Sequence, residues 1–254
     1  LFAKNLYLRA KKIEIASKAT DVKKLLALGT ELGWLNTLFY GIHSILSRYT
    51  RQVALFKYYL VVQPVGKEPN LPPYRGRSIQ VRLVPKEDQA VKEFPRPYEV
   101  IQYRYQQGAV CLGAFNNNNN LVGYLWLILG AYDEDEVRCR FILRPVGEVA
   151  WDFDVYVRPD YRASFVFARL WDEANKYLQE QGVHWTLSRV SAFNRMSREA
   201  HRRLGAVEVD SALFIVVRRW QLMLSTCRPY FHISSGSANF PRLEVTPPDY
   251  LTLN

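Results

Sequence analysis

Apolar residues recur at steps of three and four through Leu25, Leu28, Leu32, Leu35, Phe39, Ile42 and Leu46, which sets one stripe along an α-helix. The spacing predicts a helix over residues 25–49. Trp34, Leu38 and Ile45 broaden the stripe, whereas Glu31, Asn36 and His43 interrupt it. The segment therefore lacks the run of about 20 apolar residues that a spanning helix needs. Beyond it the pattern shortens to β-rich runs over 78–84, 109–115 and 121–130, the last two joined by five asparagines, 116–120. Asparagine tolerates the left-handed backbone of tight turns, so this reads as a hairpin. A strand over 149–157 is followed by a helix over 164–181, with Val166, Leu170, Ala174 and Tyr177 in one row and Gly182 as its terminating glycine. A strand over 184–190, a short helix over 194–204 stopped by Gly205, and strands over 207–209 and 213–217 complete the pattern.

Pro64, Pro69, Pro72 and Pro73 with two glycines remove backbone donors and restrict their predecessors. They place a linker at 64–77, between an N-terminal helical segment, 1–63, and a domain over 78–225. The tail, 226–254, is rich in Pro, Ser and aromatic residues without a clear period, and is expected to wrap the surface.

Composition narrows the choice of partners. Of 254 residues 48% are apolar, enough for a core, and an aromatic content of 14% suits a ligand-lining cleft or a membrane-facing surface. The net charge of +10 favours an anionic partner: a phosphorylated cofactor, an anionic lipid surface or nucleic acid. Lys4, Arg9, Lys11, Lys12, Lys18, Lys23, Lys24, Arg48, Arg51 and Lys57 surround the first stripe. Such a helix either lies on an anionic membrane surface or packs on the main domain or on a second copy, as in a homodimer. Signatures of nucleic-acid-binding folds are missing, so no nucleic-acid partner is expected. Cys111, Cys139 and Cys227 are too few for a disulfide framework or a zinc cage, and with no signal-peptide pattern at the start of the sequence the expected setting is cytoplasmic. There is no G-x-S-x-G elbow, Walker loop or H-E-x-x-H, and no metal is expected. Asp133, Glu134, Asp135 and Glu136 form an acidic cluster that reads as a solvated loop or as an attractor for an amine.

Two elements stand in a telling order: Val157-Arg158-Pro159-Asp160-Tyr161-Arg162 leaving a strand, then Asn194 followed by His201-Arg202-Arg203-Leu204-Gly205-Ala206. They resemble the V-x-P-x-x-R/Q and N-x-x-A-x-x-x-Y-x-x-x-G-F elements of the GNAT acetyltransferase superfamily, with Ser197 at the family's Ala and His201 at its Tyr. The resemblance covers roughly residues 78–219. It implies an α/β (α+β) fold, a mixed, mostly antiparallel twisted sheet flanked by helices. It also implies direct transfer of an acyl group from acetyl-CoA, another acyl-CoA or an acyl-carrier thioester to a small-molecule or lipid-linked amine.

On that resemblance Val155 and Val157 offer backbone hydrogen bonds to the donor, an oxyanion-hole arrangement. Arg162, Ala163, Ser164, Phe165, Val166 and Phe167 form the diphosphate loop at a helix N-terminus, and Asn194 and Ser197 lie on the last helix beside the donor. Phe165 and Phe167 stand where the family has glycines, which let amides approach phosphate. Two rings there either block the usual path or reshape it, and a non-catalytic module on the same fold is the alternative. His201 is the first candidate acid, since imidazole exchanges protons near neutral pH. Asp152 and Asp154 alternate along a strand, so a regular strand puts both on one face with Tyr156 as reserve acid. They can equally be structural partners of Arg140, Arg158 or Arg189, the last standing where some members carry Glu.

Overall fold

The computed structural model describes residues 33–49, 52–236 and 239–248, and for 43–49 the backbone only. Helix α1 (Trp34–Tyr49) leads into strand β1 (Val53–Pro64). β2 (Gln80–Leu83), a 3-10 turn (Gln89–Glu93), α2 (Tyr98–Gln106), β3 (Val110–Phe115) and β4 (Leu121–Leu129) follow. Next come β5 (Tyr132–Asp133), β6 (Arg140–Leu143), β7 (Val149–Val157), a 3-10 turn (Pro159–Tyr161), α3 (Val166–Glu180) and β8 (Trp185–Ser191). The remainder is α4 (Arg195–Arg203), β9 (Val207–Val217), β10 (Trp220–Ser225), β11 (Phe231–Ser235) and β12 (Arg242–Val245).

Nine strands form one sheet in the order β11-β10-β9-β1-β8-β7-β4-β3-β2, and β12-β6-β5 form a second. Within the large sheet only β7 and β8 run parallel; the other neighbours are antiparallel. The architecture is thus the mixed, mostly antiparallel sheet flanked by helices that the resemblance implied. α3 covers one face, where Val166, Leu170, Trp171, Ala174 and Leu178 pack on Leu125, Leu127 and Ala150. Burying a leucine side chain such as Leu125 contributes about 2 kcal/mol. The other face carries α2 and the small sheet over an aromatic core: Phe94 stacks on Tyr124 at 4.6 Å, and Phe141 on Trp151 and Tyr132 on Phe153, each at 4.4 Å.

Three expectations change. Residues 53–63, assigned to an N-terminal helical segment, form most of β1, which lies mid-sheet between β8 and β9. Its second half, Leu60 to Val62, is buried on both faces, so it shows no period of two. The linker 64–77 consequently joins two parts of one sheet. The tail adds β11 at the edge of the large sheet and β12 beside β6, so it is structural rather than a surface wrap. Runs 207–209 and 213–217 are one strand, β9.

The predicted helix 25–49 is described from Trp34 onward, and its earlier residues, with the basic residues before them, lie outside the described residues. α1 meets β1 through Asn36, whose Nδ2 donates to Tyr59 Oη (2.9 Å) and whose Oδ1 accepts from Lys57 Nζ (2.8 Å). Trp34, Leu35 and Leu38 of the apolar stripe are exposed. Among the described residues no helix is long and apolar enough to cross a membrane.

Candidate functional site: the gap between β7 and β8

Parallel pairing of β7 with β8 covers Val149, Ala150 and Trp151 opposite Trp185, Thr186 and Leu187, then stops. β7 continues to Val157 along β4, and β8 continues to Ser191 along β1. The strands therefore splay and leave backbone groups facing a gap. Arg158 N donates to Val122 O on β4 at 2.9 Å, and successive strand amides alternate in direction. The Val157 N–H, and with it that of Val155, is turned away from β4 into the gap.

The segment after β7 brings α3 to this gap. Arg158 is held by Asp160 through two 2.8 Å hydrogen bonds and stacks on Tyr161, fixing the turn that Pro159 begins. Asn116 of the asparagine hairpin donates to Tyr161 Oη at 3.0 Å. Ser164 Oγ donates to Tyr161 O (2.6 Å) and accepts from Val166 N (3.3 Å). Arg162, Ala163 and Ser164 are exposed at the start of α3, whose first amides have no intrahelical acceptor and favour an anion. Gly123 on β4 is the contact that seats this helix, since a Cβ there would meet Tyr156 O and Val166 Cγ1, each at 2.8 Å. Phe165 takes the N-cap position and is 41% exposed, leaning toward Gly76 of the linker. Phe167 leans on Trp171, which meets the edge of His201. Asn194 caps α4 by accepting from Ser197 N at 3.1 Å.

The four candidate acid–base residues do not form one cluster. Tyr124 pairs with Tyr156 and Trp126 with Phe153, so Asp154 and Val155 together oppose Leu125. This is a β-bulge, and Asp154 takes a left-handed φ of 46°, uncommon for a residue with a side chain. The extra residue turns Asp154 to the α2 face while Asp152 stays on the α3 face, which corrects the regular-strand expectation. Tyr156 stacks on Tyr124 (5.2 Å), and Tyr124 Oη donates to Asp154 Oδ2 at 3.2 Å. Tyr156 therefore shares the face of Asp154 and not that of Asp152.

Asp152 is buried beside Thr186, Ser188 and His201. Burial pushes its carboxyl up, opposed by the charge of His201 and by the two hydroxyls. The hydroxyls lie near Asp152 without well-formed hydrogen-bond geometry. His201 is buried against Trp171 with Nδ1 3.2 Å from Gln63 Oε1 on β1. Asp154 is the opposite case: burial works to raise its carboxyl, but the hydrogen bonds and charges of Arg96 and Arg104 outweigh it and hold the carboxyl low. Arg96 binds it through both Nε (2.9 Å) and Nη2, and Arg104 Nη1 through a 2.6 Å bond. Arg96 and Arg104 are thus its partners in place of Arg140, Arg158 or Arg189.

On the α2 face the gap opens into a cavity of about 450 Å³ lined by Arg104, Glu134, Asp135, Glu136, Asp154 and Arg189, with Phe153 and Tyr132 behind. The acidic cluster is part of this wall, not a solvated loop. Glu134 is bound by Arg189 through Nε and Nη2 (2.8 Å). Asp135 accepts from Arg104 Nε (2.8 Å), and Glu136 from Tyr58 Oη (2.6 Å). These partners lie 31 to 78 residues apart in the chain, and no sequence spacing signals them. The acidic run itself was the visible signal. Among the described residues no group of His, Cys, Asp and Glu is arranged to hold a metal.

This geometry can be set beside known proteins. A search of curated protein sequences finds no match. Among solved structures, a functionally unknown conserved protein from Staphylococcus epidermidis ATCC 12228 is 12% identical with a TM-score of 0.48, covering 70% of this chain and 66% of that one. A tandem GNAT protein from the clavulanic acid biosynthesis pathway is 14% identical with a TM-score of 0.46, covering 65% and 54%. An aminoglycoside antibiotic 6′-N-acetyltransferase from Acinetobacter baumannii is 16% identical with a TM-score of 0.39, covering 50% and 89%. The chain thus spans no more than 66% of the first protein and 54% of the second. The model of the acetyltransferase (GNAT) family matches residues 72–206, more than half of the sequence, and takes in the gap, the start of α3 and the whole of α4. The chain belongs to the GNAT acetyltransferase family.

Proposed function

We propose that the protein is an N-acyltransferase that moves an acyl group, acetyl in the simplest case, from an acyl-CoA to an amine within one ternary complex. The observation that carries this reading is the splay of β7 from β8 beyond Trp151 and Leu187, with different chemistry on the two faces of the sheet. One face offers the start of α3 and the strand amides, and the other a carboxylate-lined cavity. The amine nitrogen attacks the thioester carbonyl, the C–S bond breaks, and the sulfur leaves with the electron pair and takes up a proton, giving an amide and a free thiol. The Val155 and Val157 amides face the charge that develops on the carbonyl oxygen, where fixed donors stabilise a transition state.

The roles divide between the faces. Asp154, held ionised by two arginines, attracts and orients the ammonium form of the acceptor and is too weakly basic to serve as its proton acceptor. The ammonium therefore gives one proton to water before the neutral amine attacks, and the proton shed on amide formation passes to the departing thiolate. Tyr156 lies beside it, and the cavity admits a small amine or the head of a lipid-linked one. His201, with Asp152 behind it, is the proton carrier on the donor face. Calorimetric titration with acetyl-CoA tests the reading, with a Phe165→Gly/Phe167→Gly variant alongside. Saturable binding by the unaltered protein supports it. Absence of binding to acetyl-CoA and to a long-chain acyl-CoA alike overturns it.

A further inference from the structure

The linker 64–77 does more than connect strands. Its turn at Gly76, with φ +68°, packs so closely on α3 that a Cβ there would lie 3.0 Å from Arg169 Cγ and Cδ and 3.1 Å from Phe165 Cβ. This contact sets a hollow of about 350 Å³ between the linker, edge strand β2 and α3, lined by Arg75, Arg77 and Arg169 together with Gln80. Three arginines thus line one hollow beside a helix N-terminus, which itself favours negative charge.

Their internal partners leave this charge largely uncompensated. Arg77 Nε donates to a carbonyl, Pro73 O, at 3.0 Å. Arg75 lies over the Phe165 ring with its guanidinium carbon 5.9 Å from the centroid. Arg169 approaches Asp172 only at 4.0 Å, and its Nε is buried with no hydrogen-bond partner among the described residues. Asp172 is in turn engaged by Asn70 through its backbone N (2.6 Å) and its Nδ2 (2.9 Å). Arginines with spare donors lining one hollow suit phosphate oxygens, which accept in the planar geometry of the guanidinium fork.

Position identifies the phosphate. β2 lies three strands from β7 in the sheet order, a distance of about 14 Å at the usual strand spacing. The start of α3 lies between the hollow and the gap. A thioester held in the gap and carrying a phosphorylated nucleotide at its far end would run over the exposed start of α3 toward the hollow. Phe165 leans to the same side and brings Arg75 with it. We infer that Arg75, Arg77 and Arg169 bind the phosphates of the acyl donor's nucleotide half, a substitute for the contacts that a glycine loop makes elsewhere. The inference rests on the donor assignment made above.

The test is calorimetric titration of the full chain with acetyl-CoA and with S-acetylpantetheine, which lacks the nucleotide and its phosphates. The proteins are the unaltered chain, Arg75→Ala and Arg75→Glu. Arg75 makes no hydrogen bond that the fold needs in the lining described, so its variants are the least disruptive, and unchanged melting curves check this. Loss of one charge-assisted contact predicts acetyl-CoA binding about tenfold weaker in Arg75→Ala. The loss should be larger in Arg75→Glu, with S-acetylpantetheine binding unchanged in both. Arg169→Gln should show the same selectivity. Equal acetyl-CoA affinity in the variants and the unaltered protein overturns the inference while leaving the acyltransferase reading intact. So does an equal loss for both ligands. Failure of the unaltered protein to bind both acetyl-CoA and a long-chain acyl-CoA overturns the donor reading itself.

Discussion

Asp152 and Asp154 stand two residues apart on β7 yet face opposite sides of the sheet, because Asp154, with its left-handed φ of 46°, is one of the two residues that together oppose Leu125 in the bulge. One sits on the α3 face beside His201, and the other in the cavity on the α2 face between Arg96 and Arg104. Their ionisation is pushed in opposite directions, and their variants should behave differently.

Asp154→Asn should destabilise the protein by about 3 kcal/mol at neutral pH, since it leaves the buried Arg104 short of a partner. The sign with pH follows from its depressed carboxyl. Stabilisation by the charged form is complete above the unfolded-chain value of about 3.9 and disappears as pH falls through the lower folded value. Urea unfolding should show the gap between variant and unaltered protein at pH 7 and its closure in strong acid. In kinetics the variant should raise KM for the amine and leave donor affinity unchanged.

Asp152→Asn should do the reverse. Burial raises the folded carboxyl above the unfolded-chain value of about 3.9, so stability declines as pH rises from that value through the higher folded one. Asparagine removes the decline. The variant's stability relative to the unaltered protein should improve from pH 3 to pH 7 in the same unfolding experiment, and a worsening would show that the carboxylate form is needed.

Arg189 and Glu134 tie β8 to the acidic loop across the cavity. Glu134→Ala should cost about 2 kcal/mol, because the half-buried Arg189 then keeps only Glu136 as a charged partner. A double-mutant cycle with Arg189→Ala should return a coupling above about 1 kcal/mol, as for contacting charged residues. Additive losses would mean that the pair does not act as a unit.

Gly123→Ala tests the seat of α3. The added methyl meets a backbone oxygen and Val166 at 2.8 Å, so a loss of about 1–3 kcal/mol is expected. Displacement of α3 should also weaken acetyl-CoA binding. A variant with an unchanged melting temperature would contradict the close packing.

Much of the fold was legible because its signals are local. The motif from Val157 to Arg162, the row through Val166, Leu170 and Ala174, and the Asn194 cap each lie within one turn or element. β1 was not legible, since Val61 is buried as well as its neighbours Leu60 and Val62, which erases the alternation that marks a strand. α2 was missed because only Ile101 and Arg104 of its nine residues are buried, too few for a stripe. At the site, the residue types on β7 were readable but their faces were not, because counting by twos cannot register a bulge. The partners of Glu134 and Asp135 come from distant elements, so the acidic run looked solvated.

The most direct test of the central claim is the initial rate of thiol release from acetyl-CoA, measured against a panel of primary amines at several concentrations of both reactants. The account predicts amine-dependent release with intersecting double-reciprocal lines, as direct transfer in a ternary complex requires, and a raised amine KM in Asp154→Asn. Parallel lines, or release that ignores the amine, would contradict it.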